Sequence, residues 1–312
     1  MATVAVLGAG VMGRGIATAY AQFGYDVFLY DTSSEALQAA QKQIQSDVTL
    51  MRQEGMLQAS ENVDTHSRLH YTTDLKSALA NAWLVTESIP EIIEFKITLL
   101  RDVESIVSQD VIITSNTSSL ALSDLVADMK YPERLLVTHF FNPAHLVPLV
   151  EIVSTNKTSK DVLQKVVETI RRLQKVPVLL RKDIAGFIGN RLQAALVREA
   201  FHLLESGVAS AKDIDRALRF GPGFRWAFMG CFETVDYGGI DVWEHVCDNL
   251  FPTLSDSKVS PQTLHALYES GNLGTKTGNG LYDYTPETIV ERIRERDRSF
   301  IQQLLMNAGR KY

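Results

Sequence analysis

Through roughly the first 180 residues, apolar positions fall into short runs separated by stretches with helical spacing. Val4-Ala5-Val6-Leu7 passes into a glycine cluster and then into Ile16-Ala17-Thr18-Ala19-Tyr20-Ala21, so a strand hands over to a helix. A second run, Asp26-Val27-Phe28-Leu29-Tyr30, follows. Further runs lie at 83–86, 111–114, 135–138, 149–153 and 176–180, with helical spacing at 92–107 and 160–173. Short apolar strands alternating with helices predict a doubly wound, parallel sheet. The direction of the last strands stays open. The helix after Asp31 can be capped by Thr32 or Ser33 and stops at Gly55, leaving room for an excursion before the sheet resumes at 83. After Arg181-Lys182-Asp183 the pattern turns wholly helical: Phe187, Leu192, Leu196, Ala200 and Leu204 share a face, and Ser210-x-x-Asp213 opens another helix. Thr285-Pro286 starts a last helix, whose stripe of Ile289, Ile293, Phe300 and Leu304 is expected to pack on the domain or on a second subunit. The boundary falls near residue 185, giving 1–185 and 186–312.

The glycine cluster Gly8-x-Gly10-x-x-Gly13 sits at the first strand-to-helix junction. Gly8 permits a tight turn, Gly10 lets the backbone approach a pyrophosphate, and Gly13 allows helix and strand to pack closely. The N–H groups of the new helix, at Val11 and Met12, then face the anion. Asp31 ends the second run at about the twenty-residue spacing of an acid that binds both ribose hydroxyls and repels a 2′-phosphate. The expected cofactor is NAD rather than NADP.

Composition narrows the partners. The net charge of −6 over 312 residues offers no positive field for nucleic acid or an anionic membrane. The first strand begins without a charged leader, and the apolar stretch 135–153 is broken by polar residues, so neither signal peptide nor membrane span is expected. Two cysteines and seven histidines show no metal-ligand spacing and no disulfide framework, which suits a reduced, cytoplasmic setting.

Polar groups cluster at strand ends, where open α/β sheets bind ligands. Ser115-Asn116-Thr117-Ser118-Ser119 follows one strand and His139-Phe140-Phe141-Asn142-Pro143 closes another. Glu151 interrupts an apolar run, and a buried carboxylate needs a partner. Oxidising an alcohol with a nicotinamide needs a base near neutral pH, and a histidine held by a carboxylate supplies one. His139 with Glu151 is the expected pair. Asn190 opens the first helix of the second domain and is a candidate donor to the substrate oxygen. A non-catalytic NAD-binding protein is the alternative class, although such a protein has no use for the base.

Together these motifs, with Gly186-Phe187-Ile188-x-Asn190-Arg191 and Gly274-x-Lys276-Thr277-Gly278-x-Gly280-x-Tyr282, resemble the 3-hydroxyacyl-CoA dehydrogenase family across nearly the whole chain. The resemblance implies a Rossmann-type α/β domain followed by an all-α C-terminal domain used for substrate binding and homodimerisation. It implies a small-molecule substrate, a short-chain L-3-hydroxyacyl-CoA oxidised reversibly to the 3-keto form, and a place in fatty acid metabolism. It further implies His139 as base, Glu151 as its orienting acid, Ser118, Asn142 and Asn190 toward the substrate, and Glu91, Lys96 and Lys276 toward NAD. Read by itself, Lys96 would be a solvated helix lysine.

Two stretches depart from the acyl-CoA members. Where those carry lysines around a glycine, Met51-Arg52-Gln53-Glu54-Gly55-Met56-Leu57 has one cation beside an acid. The segment Gly221-Pro222-Gly223-Phe224-Arg225-Trp226 is similar to the L-gulonate 3-dehydrogenase (lambda-crystallin) and L-carnitine dehydrogenase branches, which oxidise free hydroxy acids. Arg225 is then a candidate grip on a carboxylate, or else stacks on Trp226.

Overall fold

Strands β1 (Thr3–Leu7), β2 (Asp26–Tyr30), β3 (Leu69–Thr72), β4 (Ala82–Glu87), β5 (Ile112–Ser115), β6 (Leu135–Phe140), β7 (Leu149–Val153) and β8 (Val176–Leu179) make one sheet in the order β3-β2-β1-β4-β5-β6-β7-β8. This computed structural model describes residues 2–57 and 64–307. Helices α1 (Val11–Gln22), α2 (Ser34–Gln53), α3 (Leu75–Leu79), α4 (Ile93–Ile106), α5 (Leu122–Leu125) and α6 (Lys160–Arg172) flank the sheet. All-helical chain follows in α7 (Gly189–Glu205), α8 (Ala211–Phe220), α9 (Pro222–Trp226), α10 (Cys231–Gly238), α11 (Ile240–Leu250) and α12 (Gln262–Glu269), and then α13 (Pro286–Asn307). The chain divides into two units, Gly189–Arg292 and the remainder, so that α13 from Ile293 onward belongs with the sheet.

Neighbouring strands from β3 to β6 pair in parallel, β7 runs antiparallel to β6, and β8 is parallel to β7. Link length decides the reversal, because residues 141–148 are too few for the crossover that a parallel neighbour requires. Strand β3 is absent from the sequence reading, which carried no strand between Gly55 and residue 83. Its Leu-His-Tyr-Thr is only four residues long, with only Leu69 buried, and gives almost no pattern to read.

Side chains alternate across the sheet and build two cores. Leu136, Phe140, Val150 and Ile152 point to the face covered by α1, α2, α6 and Ile301 of α13. Leu135, Val137 and Val153 point to the other, with Leu100 of α4, Leu125 of α5 and Phe187. Phe300 and Leu304 also pack on the first face, so the second half of the last helix's stripe is spent on the sheet-bearing unit, while Ile293 stays 40% exposed. Ser33, rather than Thr32, caps α2 by accepting from the Ala36 N–H. No helix among the described residues is long and apolar enough to cross a membrane.

Candidate active site

The turn from β1 to α1 has the shape its glycines foretold. Gly8 sits at φ +104, and a β-carbon there would lie 2.5 Å from the Ser88 carbonyl oxygen. At Gly13 a β-carbon would fall 1.7 Å from the Gly8 oxygen. Gly10 is different: a β-carbon there would meet nothing within 4 Å. The N–H groups of Val11, Met12 and Gly13 precede the first helical bond, Arg14 to Gly10, and are left for an anion. At the end of β2, Asp31 accepts from the Ala9 N–H at 2.8 Å and the Ser33 N–H at 3.0 Å. One acceptor position per oxygen is spent on the turn, and the others suit a ribose diol.

Strand register brings the expected pair together. His139 on β6 lies directly opposite Glu151 on β7, and its Nδ1 is 2.8 Å from Oε2 of the carboxylate. Glu151 is fully buried, and its Oε1 accepts from the Ile188 N–H at 2.8 Å. Phe141 and Phe187 tilt against the imidazole at 4.8 and 5.2 Å between ring centres. Phe187 holds this place from φ +50, a left-handed conformation that a bulky side chain takes only under constraint. The preceding Gly186, at φ +76, needs no such constraint. With Nδ1 engaged, Nε2 is the nitrogen left to exchange a proton.

A second buried network ties the loop carrying Ser118 to β4 and β5. Lys96 is not a solvated helix residue but 1% exposed, with Nζ 2.6 Å from Glu87 Oε1, 3.4 Å from Glu91 Oε2 and 3.1 Å from the Ile89 carbonyl. Glu87 also accepts from the Ser115 hydroxyl at 2.5 Å. Glu91 Oε1 takes the Thr117 hydroxyl at 2.6 Å and the N–H groups of Ser118 and Ser119 at 2.8 and 2.9 Å. Burial alone raises the Glu91 carboxyl, but these donors and Lys96 outweigh it and hold it at about 2. Asn116 accepts from the Phe140 N–H at 2.8 Å, linking this loop to the strand of His139. Glu87 was given no role from sequence, Ser115 was read only as part of a polar cluster, and Phe187, expected on a helix face, instead precedes α7. The acid ending an apolar strand at Glu87 was the available signal.

Asn142 lies exposed just past β6. In the helical unit, Asn190 is in the first turn of α7, and Lys276 is exposed between Gly274 and Gly278, both at positive φ. Arg225 is exposed on α9, and among the described residues it makes neither an ion pair nor a stack on Trp226. Adjacent residues on a helix do not face each other.

The chain matches the model of the 3-hydroxyacyl-CoA dehydrogenase NAD-binding domain over residues 3–184 and that of the C-terminal domain over 186–284. It belongs to the 3-hydroxyacyl-CoA dehydrogenase family. Within the family it is 32% identical to 5-formyl-3-hydroxy-2-methylpyridine 4-carboxylate 5-dehydrogenase of Mesorhizobium japonicum over 98% of both chains. It is 31% identical to L-carnitine dehydrogenase of Oceanobacillus iheyensis, over 98% of this chain and 97% of that one. A solved structure of 5-formyl-3-hydroxy-2-methylpyridine 4-carboxylic acid 5-dehydrogenase, an NAD+-dependent dismutase, superposes with a TM-score of 0.92 at 30% identity, covering both chains fully. The 3-hydroxybutyryl-CoA dehydrogenase of Escherichia coli gives 0.74 at 37% identity over 91% of this chain and 59% of that one. The protein is an NAD-dependent oxidoreductase of this family, and the open cradle before Gly10 with the Asp31 carboxylate fits the cofactor.

Proposed function

We propose that the protein interconverts a secondary alcohol and a ketone on a small free hydroxy acid, with His139 as base. NAD, when bound, accepts or returns the hydride. His139 Nε2 takes the hydroxyl proton in the oxidising direction, and Glu151 fixes the opposite tautomer and stabilises the imidazolium that forms. Ser118 and Asn190 hold the reacting oxygen, and Asn142 lies toward the substrate. Glu91, Lys96 and Lys276 serve the cofactor side, Lys96 by holding Glu91. The 2.8 Å contact between His139 and Glu151 carries this reading.

The free acid is supported over a thioester by the full-length likeness to enzymes named for carnitine and a pyridine carboxylate. It is also supported by Arg52, the one cation in the stretch 51–57, which lies 3.6 Å from Asp64. Arg225, whose side chain has no ion-pair partner among the described residues, is assigned to the substrate carboxylate, where a guanidinium fork suits two oxygens. A short-chain 3-hydroxyacyl-CoA is the second reading, favoured by the likeness to 3-hydroxybutyryl-CoA dehydrogenase. Homodimerisation through the helical unit is supported by Phe232 and Tyr237, 86% and 84% exposed. Two free cysteines, one exposed, suit a cytoplasmic enzyme.

Oxidation of L-carnitine, gulonate and 3-hydroxybutyrate, assayed beside acetoacetyl-CoA reduction, tests the substrate. Turnover of a free acid, reduced about 100-fold or more in Arg225→Ala, is the expected result. Reduction of acetoacetyl-CoA that Arg225→Ala leaves unchanged would install the thioester instead.

A further inference from the structure

We propose that the first unit holds a second binding site, for an apolar-tailed carboxylate, in a cavity on the α1, α6 and α13 side of the sheet. The cavity measures about 620 Å³, within the range of sites that enclose small organic ligands. Lys175, just before β8, and His145, in the link from β6 to β7, supply its polar end. Phe23, Leu173, Phe300 and Leu304 supply apolar wall.

Two buried groups mark this space as built for an anion. Lys175 is 7% exposed, and its Nζ donates to the Val147 carbonyl at 2.8 Å. No described carboxylate lies within ion-pair distance of it, so a neutral acceptor is set against a buried ammonium. His145 is equally buried and its Nδ1 has no hydrogen-bond partner, while Nε2 stands 4.0 Å from Asp47 Oδ2. Proteins seldom leave such atoms unpaired. A carboxylate would pair with the Lys175 ammonium, and it would also satisfy His145 in the tautomer that carries the hydrogen on Nδ1.

The local field has the same sign. Burial, and then Lys175, Arg14 and Arg296, push the His145 imidazole down to about 3, and burial brings the Lys175 ammonium to about 7. The acids nearby, Asp47 and Asp297, are themselves pushed up by burial. An apolar wall selects a ligand with a hydrocarbon or aromatic body over a bare inorganic ion. The site is separate from His139 and Glu151, since its Leu173, Phe300 and Leu304 belong to the core on one face of the sheet and Phe187, against His139, to the core on the other. None of its lining residues belongs to the candidate active site.

Octanoate is the probe, titrated calorimetrically into the full-length protein with and without saturating NADH. Saturable one-site binding unaffected by NADH is expected, with octanol and acetate each at least about tenfold weaker because each lacks one half of the ligand. Lys175→Met and, independently, Leu304→Trp, which fills the apolar end, should each weaken octanoate by about tenfold or more while NADH affinity is unchanged. A His145 Nδ1 shift in the ¹⁵N spectrum of the wild type on titration locates the head without any substitution. Competition between octanoate and NADH, equal affinity for octanol, or an unmoved His145 resonance at saturation overturns the proposal.

Discussion

The two units spend their apolar residues in opposite ways. In the sheet-bearing unit the apolar side chains of every central strand disappear into one of two cores, and even the last helix contributes Ile301 at 0% exposure. From Gly189 to Arg292 only Phe201 and Thr234 are buried, while Phe220, Phe224, Phe232 and Phe251 are each at least 66% exposed. Helices with so little interior derive their stability from whatever covers them, because isolated helices of this length are marginal in water. The first unit is therefore a finished scaffold with the proposed base and its carboxylate already assembled. In the second, the residues proposed to meet the substrate sit on helices whose apolar surface a second subunit is proposed to cover.

Removing the assembled chemistry gives the largest expected effect. His139→Gln should lower kcat by about 10²- to 10⁴-fold and leave NADH affinity, measured by fluorescence quenching, within about twofold. Loss of less than about tenfold in kcat would show that the base is elsewhere. Next comes a test of the cores themselves. Ile301→Ala should cost about 2–5 kcal/mol in urea unfolding without altering the sedimentation coefficient. Phe232→Glu should do the reverse, shifting sedimentation toward the monomer while the first unit's unfolding transition stays in place. A Phe232→Glu protein that sediments as wild type would deny the second unit its proposed partner.

Acid gives a smaller, graded effect, and it acts on the finished unit. His145 is held at about 3 against an ordinary 6.5, so the unfolded chain binds the proton first and stability falls as pH drops through that interval. Glu91, held at about 2, adds stability above 4.5 that is lost on the way down to 2. Asp47 and Asp297, raised by burial, act in the opposite sense. Between pH 6.5 and 5 the histidine share is about 2 kcal/mol, read as the difference between wild-type and His145→Gln urea curves over that window. Parallel curves would remove the buried imidazole from the acid response.

How much of this could be read in the chain differs between the units for the same physical reason. The β1 turn, Asp31 and the His139–Glu151 pair are legible because a strand end, a helix start and a register partner are set locally. Residues 141–148 also carried the antiparallel turn of β7, in their shortness, though composition did not announce it. Lys96 misleads when read alone, since α4 presents it on what looks like a polar face and only the turn after β4 brings Glu87 and Glu91 beneath it. β3 was lost because four residues with one buried side chain scarcely show a period. Asn190 was reached from its place at a helix start, but Arg225 and Lys276 only through family resemblance, because an amphipathic helix does not say what will lie against it.

The smallest effect on stability is expected at the glycine that looked most functional from sequence. Gly13→Ala forces a β-carbon to 1.7 Å from the Gly8 oxygen, so backbone must move and the fold should weaken by several kcal/mol, with cofactor affinity falling as a consequence. Gly10→Ala meets nothing within 4 Å at an ordinary φ of −64, so thermal stability should change by less than about 1 kcal/mol. The pyrophosphate is nevertheless proposed to approach the backbone at Gly10, where a methyl group would stand in its way. NADH affinity should therefore drop by at least about tenfold in a protein that unfolds as wild type does. Only that separation of binding from stability distinguishes a glycine kept for the ligand from one kept for the turn, and equal losses in both measurements would assign Gly10 to the scaffold.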